Sequence, residues 1–167
     1  MFREMKVAGL TVDPFTNMPI VILKDDEDKN TVPIWIGLLE ASAIATQLED
    51  IQLPRPMTHD LLKNIFDNLK VNVTRIEVND LKDNTFYATL YLEMDGKKHV
   101  IDSRPSDAIA IALRTNSPIF ISEEVISKSR KIDLKETSVA VKKDKESEKW
   151  ADILEEMSPE DFGKYKM

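Results

Sequence analysis

The feature that most constrains the fold is the segment 97–114, where a strand passes without a spacer into an alanine-rich helix. Residues 97–101 tend towards alternating apolar side chains, as in a strand, and residues 108–113 are wholly apolar. Pro105 lies where proline is best tolerated, in the first helical turn, with Ser103 as the predicted N-cap. A helix of such small apolar residues packs close against a sheet, and its free N–H groups attract anions.

The length of the chain and its alternation of strand and helix signals predict a single compact domain, with a largely antiparallel or mixed sheet packed by helices. The predicted strands are residues 3–12, 18–24, 31–36, 71–79, 85–94, 98–102 and 119–121. Short turns separate 71–79, 85–94 and 98–102, which indicates an antiparallel meander. Pro33 indicates that its strand lies at a sheet edge or contains a bulge.

Helical periodicity predicts one helix after Gly37 and another from Thr58, the predicted N-cap. The predicted buried stripe of the second helix is Leu61, Leu62, Ile65, Phe66 and Leu69.

The composition of the chain predicts its domain boundaries. Residues 1–127 form the domain, 128–149 a charged linker, and 150–167 a short C-terminal amphipathic helical extension that must dock on its own domain or on a partner.

The composition excludes several kinds of site and argues against a membrane protein. The chain has no cysteine, which excludes disulfides, thiolate metal ligands and cysteine nucleophiles. It has only 4 glycines and no glycine-rich phosphate loop, which excludes nucleotide chemistry of the P-loop or Rossmann type, and no organic cofactor is expected. No apolar run approaches the ~20 residues that cross a bilayer, and the first residues lack a signal-peptide pattern, so we expect a cytoplasmic protein without membrane contact.

The net charge of −7 is concentrated in the domain. Residues 1–127 hold 13 Lys and Arg against 20 Asp and Glu, whereas residues 128–167 hold 10 of each. An acidic body argues against broad binding to duplex DNA, which depends on many phosphate contacts. A phosphodiester substrate stays possible, because a metal ion in a carboxylate pocket supplies positive charge.

Carboxylates at the ends of predicted elements are the candidate metal ligands. Asp60, Asp102 and Asp107, with Glu40 nearby, offer oxygen ligands that suit Mg²⁺ or Mn²⁺. The two histidines of the chain have no paired spacing, so a zinc site built from protein ligands alone is not expected. In the alternative interpretation, Asp60 and Asp107 are first-turn carboxylates that stabilise the helix dipole by about 0.3–1 kcal/mol.

Two strings share the order arginine, proline, hydroxyl residue, aspartate: Arg55 to Asp60 and Arg104 to Asp107. Two guanidinium groups beside helix starts would clamp a phosphate, or they would form internal ion pairs with these aspartates. His59 follows the first arginine closely. It is a candidate general acid or base, with a capping or surface role as the alternative.

Five strings in unbroken order resemble the bifunctional nuclease domain family, over residues 5 to about 127. They are VPIWIGLLEA at 32–41, RPMTHDLL at 55–62, LKDNTFYA at 81–88, DSRPSDAIA at 102–110 and PIFI at 118–121. The resemblance implies an α+β domain that self-associates as a dimer, in a family named for members that cleave RNA and DNA. Residues 128–167 lie outside it.

The leading hypothesis is a nuclease that hydrolyses single-stranded RNA or DNA with a divalent metal. The ion would lower the pKa of bound water, the arginines would neutralise the phosphate, and the histidine would transfer a proton. The predicted catalytic residues are His59, Asp60 and Asp107, the substrate-binding residues Arg55 and Arg104, and the metal ligands Asp60, Asp102 and Asp107. The alternatives are a non-enzymatic dimeric interaction module and an anion- or nucleotide-sensing module, in which the same residues form ion pairs or bind without hydrolysis.

Overall fold

The computed structural model describes residues 1–133 of the chain, with side chains as far as residue 130. The strands are β1 (Phe2–Val12), β2 (Pro19–Lys24), β3 (Thr31–Trp35), β4 (Asn72–Lys82), β5 (Thr85–Met94), β6 (Lys97–Ser103) and β7 (Ile119–Ser122). The helices are α1 (Leu38–Leu48), α2 (Thr58–Leu69), α3 (Pro105–Thr115) and α4 (Glu123–Asp133). The predicted α+β class is confirmed.

One mixed sheet holds the seven strands in the order β3-β2-β1-β7-β4-β5-β6. All neighbouring strands are antiparallel except β4 and β7, which run parallel. The meander β4-β5-β6 is confirmed, and Pro33 lies in the edge strand β3, as predicted. A register shift between Val73 and Arg75 marks a bulge in β4.

Helix α3 is the centre of the hydrophobic core. Its residues 108–112, from Ala108 to Ala112, are all nearly inaccessible to solvent. The small alanines let the helix axis approach β4 and β5, while Ile109 and Ile111 fill the space between them. This close packing fixes the position of the N-terminus of α3, and with it the hinge at Arg104 between β6 and α3.

The boundaries of three elements differ from those predicted. The N-cap of α3 is Arg104 and not Ser103, although Pro105 does occupy the first helical position. The N-cap of α2 is Met57, so Thr58 is already helical. Helix α4 continues through residues 128–133, which were assigned to the linker, and Ser129 is fully buried. The remaining linker and the C-terminal extension lie outside the described residues.

The prediction that α2 buries an apolar stripe is wrong. Leu61, Ile65 and Leu69 are 43–61% exposed, and α2 contains no buried residue. The helix lies against α3, and only Leu62 and Phe66 pack partly on the core. Periodicity identifies an apolar face but not the element that covers it, and residues 1–130 do not cover this face of α2.

Among residues 1–133 no helix is long and apolar enough to cross a membrane.

Candidate catalytic groove

A groove of about 310 Å³ lies where α1, the start of α2 and the start of α3 meet. Its walls combine a polar cluster with apolar side chains on the rim. The lining residues are Leu39, Glu40, Ser42, Ala43, Thr46, Leu53, Met57, Thr58, His59, Arg104 and Asp107. A concave site with a few convergent polar groups is the usual setting for small-molecule binding or catalysis.

Asp107 is the centre of the polar cluster. Its Oδ1 lies 2.9 Å from Nε2 of His59, and its Oδ2 accepts a 2.7 Å hydrogen bond from Nε of Arg104. A second bond of 3.2 Å joins Nη2 of Arg104 to Oδ1. Nη1 of Arg104 donates to Oε1 of Glu40 at 2.8 Å, so the cluster links α1, α2 and α3.

Local structure explains why these groups meet. Arg104 is the N-cap of α3 and Asp107 lies three residues later in its first turn, so the two side chains are neighbours on one helix face. Burial alone would raise the pKa of the Asp107 carboxyl. The hydrogen bonds from Arg104 and His59 outweigh burial and hold this pKa below its usual value. The carboxyl is therefore ionised at neutral pH and orients both partners.

Asp60 belongs to a second, separate ion pair. Its Oδ1 accepts a 2.6 Å bond from Nε of Arg114, whose side chain is almost fully buried. Nη1 of Arg114 also donates to the carbonyl oxygens of Ala43 and Ala110, and Oδ2 of Asp60 accepts the N–H of Met57 at 3.0 Å. Burial opposes ionisation, yet Arg114 and the Met57 N–H lower the pKa of Asp60. This pair joins α2 to α1 and α3.

The structure separates the remaining predicted residues from this cluster. Arg55 is exposed in the loop between α1 and α2, and no hydrogen bond or ion pair joins it to residues 1–130. Asp102 is exposed on β6 opposite Thr89. The structure thus brings together His59, Asp107 and Arg104, and places the other three elsewhere.

Sequence reasoning missed two members of this arrangement. Glu40, considered only as a metal ligand, is the ion-pair partner of Arg104. Arg114 was given no role, although it is the buried cation that Asp60 neutralises. The available signal was a lone arginine at the end of an otherwise apolar helix, because a charge on such a helix needs a partner when it is buried.

The predicted metal ligands do not form a site in this arrangement. Asp60 and Asp107 use their oxygens on separate partners, and Asp102 lies on β6. Across the described part of the chain, no group of three or more His, Asp or Glu side chains is placed to hold a metal ion. The divalent ion remains a prediction, and the described residues provide no ligand set for it.

Comparison with known proteins supports the resemblance found in the sequence. The family model described as "Bifunctional nuclease domain" matches residues 21–133. An uncharacterized protein of Mycobacterium tuberculosis (strain H37Rv) is 36% identical over 163 residues, which cover 95% of this chain and 97% of the relative. Bifunctional nuclease 2 of Arabidopsis thaliana is 28% identical over 107 residues, 62% of this chain and 32% of the plant protein. Bifunctional nuclease 1 of Oryza sativa subsp. japonica is 26% identical over 109 residues, 64% and 33% respectively.

Proposed function

The chain belongs to the bifunctional nuclease domain family, and on that premise we propose that it hydrolyses phosphodiester bonds of single-stranded RNA or DNA in the groove. The observation that carries this proposal is the histidine on the groove wall, held by an ionised carboxylate beside an arginine. His59, Asp107 and Arg104 combine a proton acceptor, the group that orients it, and a phosphate-binding cation.

The contact with Asp107 sets the proton-transfer role of His59. An ionised carboxylate only accepts hydrogen bonds, so Nε2 of His59 carries the proton of the neutral ring and Nδ1 has the free lone pair. No group among residues 1–130 hydrogen-bonds Nδ1. His59 Nδ1 takes the proton of the attacking water while its oxygen bonds to phosphorus, and Asp107 stabilises the imidazolium that forms. The P–O bond to the leaving sugar oxygen breaks, solvent protonates that oxygen, and the imidazolium returns its proton to solvent.

Arg104 offers N–H donors to the phosphate. Three of its five N–H groups donate to Asp107 and Glu40, so two N–H groups are left for phosphate oxygens. Its side chain is about two-thirds exposed, which makes these donors accessible from solvent. Arg55 extends from the loop that contains the groove residues Leu53 and Met57, and we assign to it a second contact with the nucleic-acid backbone.

A single strand fits this site better than a duplex. The surrounding domain is acidic, and a duplex would bring many phosphates against it. A single strand needs fewer phosphate contacts, and the apolar rim of Leu39, Leu53 and Met57 offers contact area to unstacked bases. We also propose a cytoplasmic location, a homodimer, and Mg²⁺ or Mn²⁺ as the divalent ion, for which the described residues provide no ligand set.

The test is cleavage of fluorophore–quencher RNA and DNA oligonucleotides by the full chain, with and without chelator. His59→Gln removes the proton acceptor, and we expect a 10²–10⁴-fold loss of rate. The matched control is His99→Gln on β6, away from the groove lining. If the purified chain cleaves neither polymer under any metal condition, or if both variants retain full activity, the assignment fails.

A second candidate function follows from the two ion pairs that Arg104 already makes within the domain. Two carboxylates already neutralise its charge, which is the pattern of a structural ion pair. The site would then bind a small anion or nucleotide, or serve only to hold an interaction module together. A panel of nucleotides tests this by thermal shift: stabilisation without cleavage, abolished by Arg104→Ala, favours a sensor, whereas no shift favours an interaction module.

A further inference from the structure

The two edges of the sheet are protected differently. At the β3 edge, Val32 and Ile34 are buried and Pro33 has no N–H to offer. At the other edge, six of the seven residues of β6 are exposed, and the apolar Val100 and Ile101 are 61% and 48% accessible. A bare edge strand presents unpaired N–H and C=O groups that can pair with another strand.

The two faces of β6 carry different side chains. Cross-strand partners share a face, so Lys98, Val100 and Asp102 lie on the face of Glu93, Tyr91 and Thr89. We call this the outer face. Lys97, His99, Ile101 and Ser103 lie on the opposite face with Leu90, which belongs to the core under α3. The outer face of β6 therefore carries a cation, an apolar side chain and an anion at alternate positions: Lys98, Val100 and Asp102.

We propose that β6 pairs antiparallel with β6 of a second copy, around a two-fold axis at Val100. Val100 is the midpoint of β6, so this register pairs all seven residues, the longest overlap available. It places Lys98 opposite the partner's Asp102, and by symmetry Asp102 opposite the partner's Lys98. Residues 1–130 give neither side chain an ion-pair partner within its own subunit.

Neighbouring registers lose this complementarity. With the axis at Ile101, Lys98 would lie opposite the partner's Arg104, and Val100 opposite the partner's Asp102. With the axis at His99, Lys98 would lie opposite the partner's Val100. Lysines on an edge strand ordinarily oppose pairing with foreign strands. Here Asp102 lies four residues after Lys98, so in the register around Val100 each lysine meets an aspartate of the other strand. This charge match favours a second copy of this chain as the partner.

The pairing also reaches the groove. Ser103, the last residue of β6, would lie opposite the partner's Lys97, and Arg104 follows it directly. The partner thus adds a cation next to the hinge that carries Arg104. The β6 pairing would be the interface of the proposed homodimer, and in this respect it rests on the proposed function. It is independent of nuclease activity because its readout is oligomeric state.

A charge-swap cycle tests the register. Lys98→Glu places Glu opposite Asp102, Asp102→Lys places Lys opposite Lys98, and the double variant restores both pairs with their signs reversed. Sedimentation of the full chain over a concentration series should show a dimer. We expect each single variant to raise the dimer dissociation constant at least tenfold, and the double variant to recover most of that loss. Circular dichroism verifies that all variants fold.

A crosslink gives a second measurement, since the chain has no native cysteine. Residues directly opposite across an antiparallel pair have Cα atoms about 4.5–5.5 Å apart, which a disulfide can bridge. Val100→Cys should therefore oxidise to a covalent dimer, whereas Tyr87→Cys, exposed on β5, should stay monomeric on a non-reducing gel. A monomeric wild type, or a dimer unaffected by either single charge variant, overturns the proposal.

Discussion

Asp60→Ala isolates the ion pair that holds α2 to the rest of the domain. The substitution removes the only carboxylate hydrogen-bonded to Arg114 among residues 1–130, and it removes the acceptor of the Met57 N–H. The side chain of Arg114 is 3% exposed, and its guanidinium also donates to the carbonyl oxygens of Ala43 and Ala110. Arg114 therefore cannot turn to solvent without losing these two hydrogen bonds. The variant therefore leaves a buried charge without a counterion.

The size of the effect follows from these contacts. Losing the charge-assisted hydrogen bond costs about 1.5–3 kcal/mol, and losing the bond at the helix start costs about 1 kcal/mol. The full penalty of about 3–5 kcal/mol for breaking a buried pair is an upper limit, since Asp60 is one-third exposed. We expect Asp60→Ala to lower the free energy of unfolding by about 3 kcal/mol. Asp60→Asn keeps a neutral acceptor and should lose about half as much.

Urea denaturation followed by far-ultraviolet circular dichroism measures this loss. With a slope of about 2 kcal/mol/M, the midpoint should fall by roughly 1.5 M. The matched control is Asp67→Ala on the same helix, where the exposed pair with Lys63 is worth about 0.3–0.5 kcal/mol. A loss for Asp60→Ala within about 0.5 kcal/mol of this control would refute the assignment of Asp60 to a structural pair.

Two further predictions concern pH and the core. Because the folded-state pKa of Asp60 and Asp107 is lowered, their stabilisation is complete above the unfolded value of about 3.9 and is lost as pH falls below it. The stability difference between wild type and Asp60→Asn/Asp107→Asn should therefore shrink in urea titrations from pH 6 to pH 3, and a constant difference contradicts this. Ile109→Ala in α3 should cost about 2–5 kcal/mol, against well under half of that for the exposed Ile65→Ala, and equal losses in thermal unfolding would contradict the placement of α3.

The sequence predicted those parts of the fold that depend on local signals. In the meander, β5 has a period of two from Phe86 to Met94, and a tight turn at Asp95 and Gly96 follows it. Both β5 and β6 and the connection between them could therefore be predicted. The parallel pairing of β4 with β7 was not, because nothing within either strand states which distant strand lies beside it. The exposure of α2 was missed for the same reason, since an amphipathic pattern does not name its partner.

The groove shows a similar division. The charged hinge at Arg104 and Asp107 was found from its position between strand and helix, and His59 from its place after Arg55 and a proline. Asp60 has the same motif position as Asp107, yet it turns to Arg114 instead of to the groove. The difference depends on the cation that α3 presents at each point, which is a tertiary fact. Two strings with the same order of residue types thus have different partners.

Strand β7 has a consequence for how the protein is made. Its four residues pair with β1 on one side and β4 on the other, and they connect the N-terminal three strands to the meander. Phe2 pairs with Ser122, a separation of 120 residues, so this contact forms only after residue 122 has left the ribosome. Without β7, β1 and β4 each lack one neighbouring strand, and each is left as an open edge. Non-local pairing of this kind slows folding and exposes unpaired strands, so the interval before β7 emerges is when the chain is most prone to aggregation.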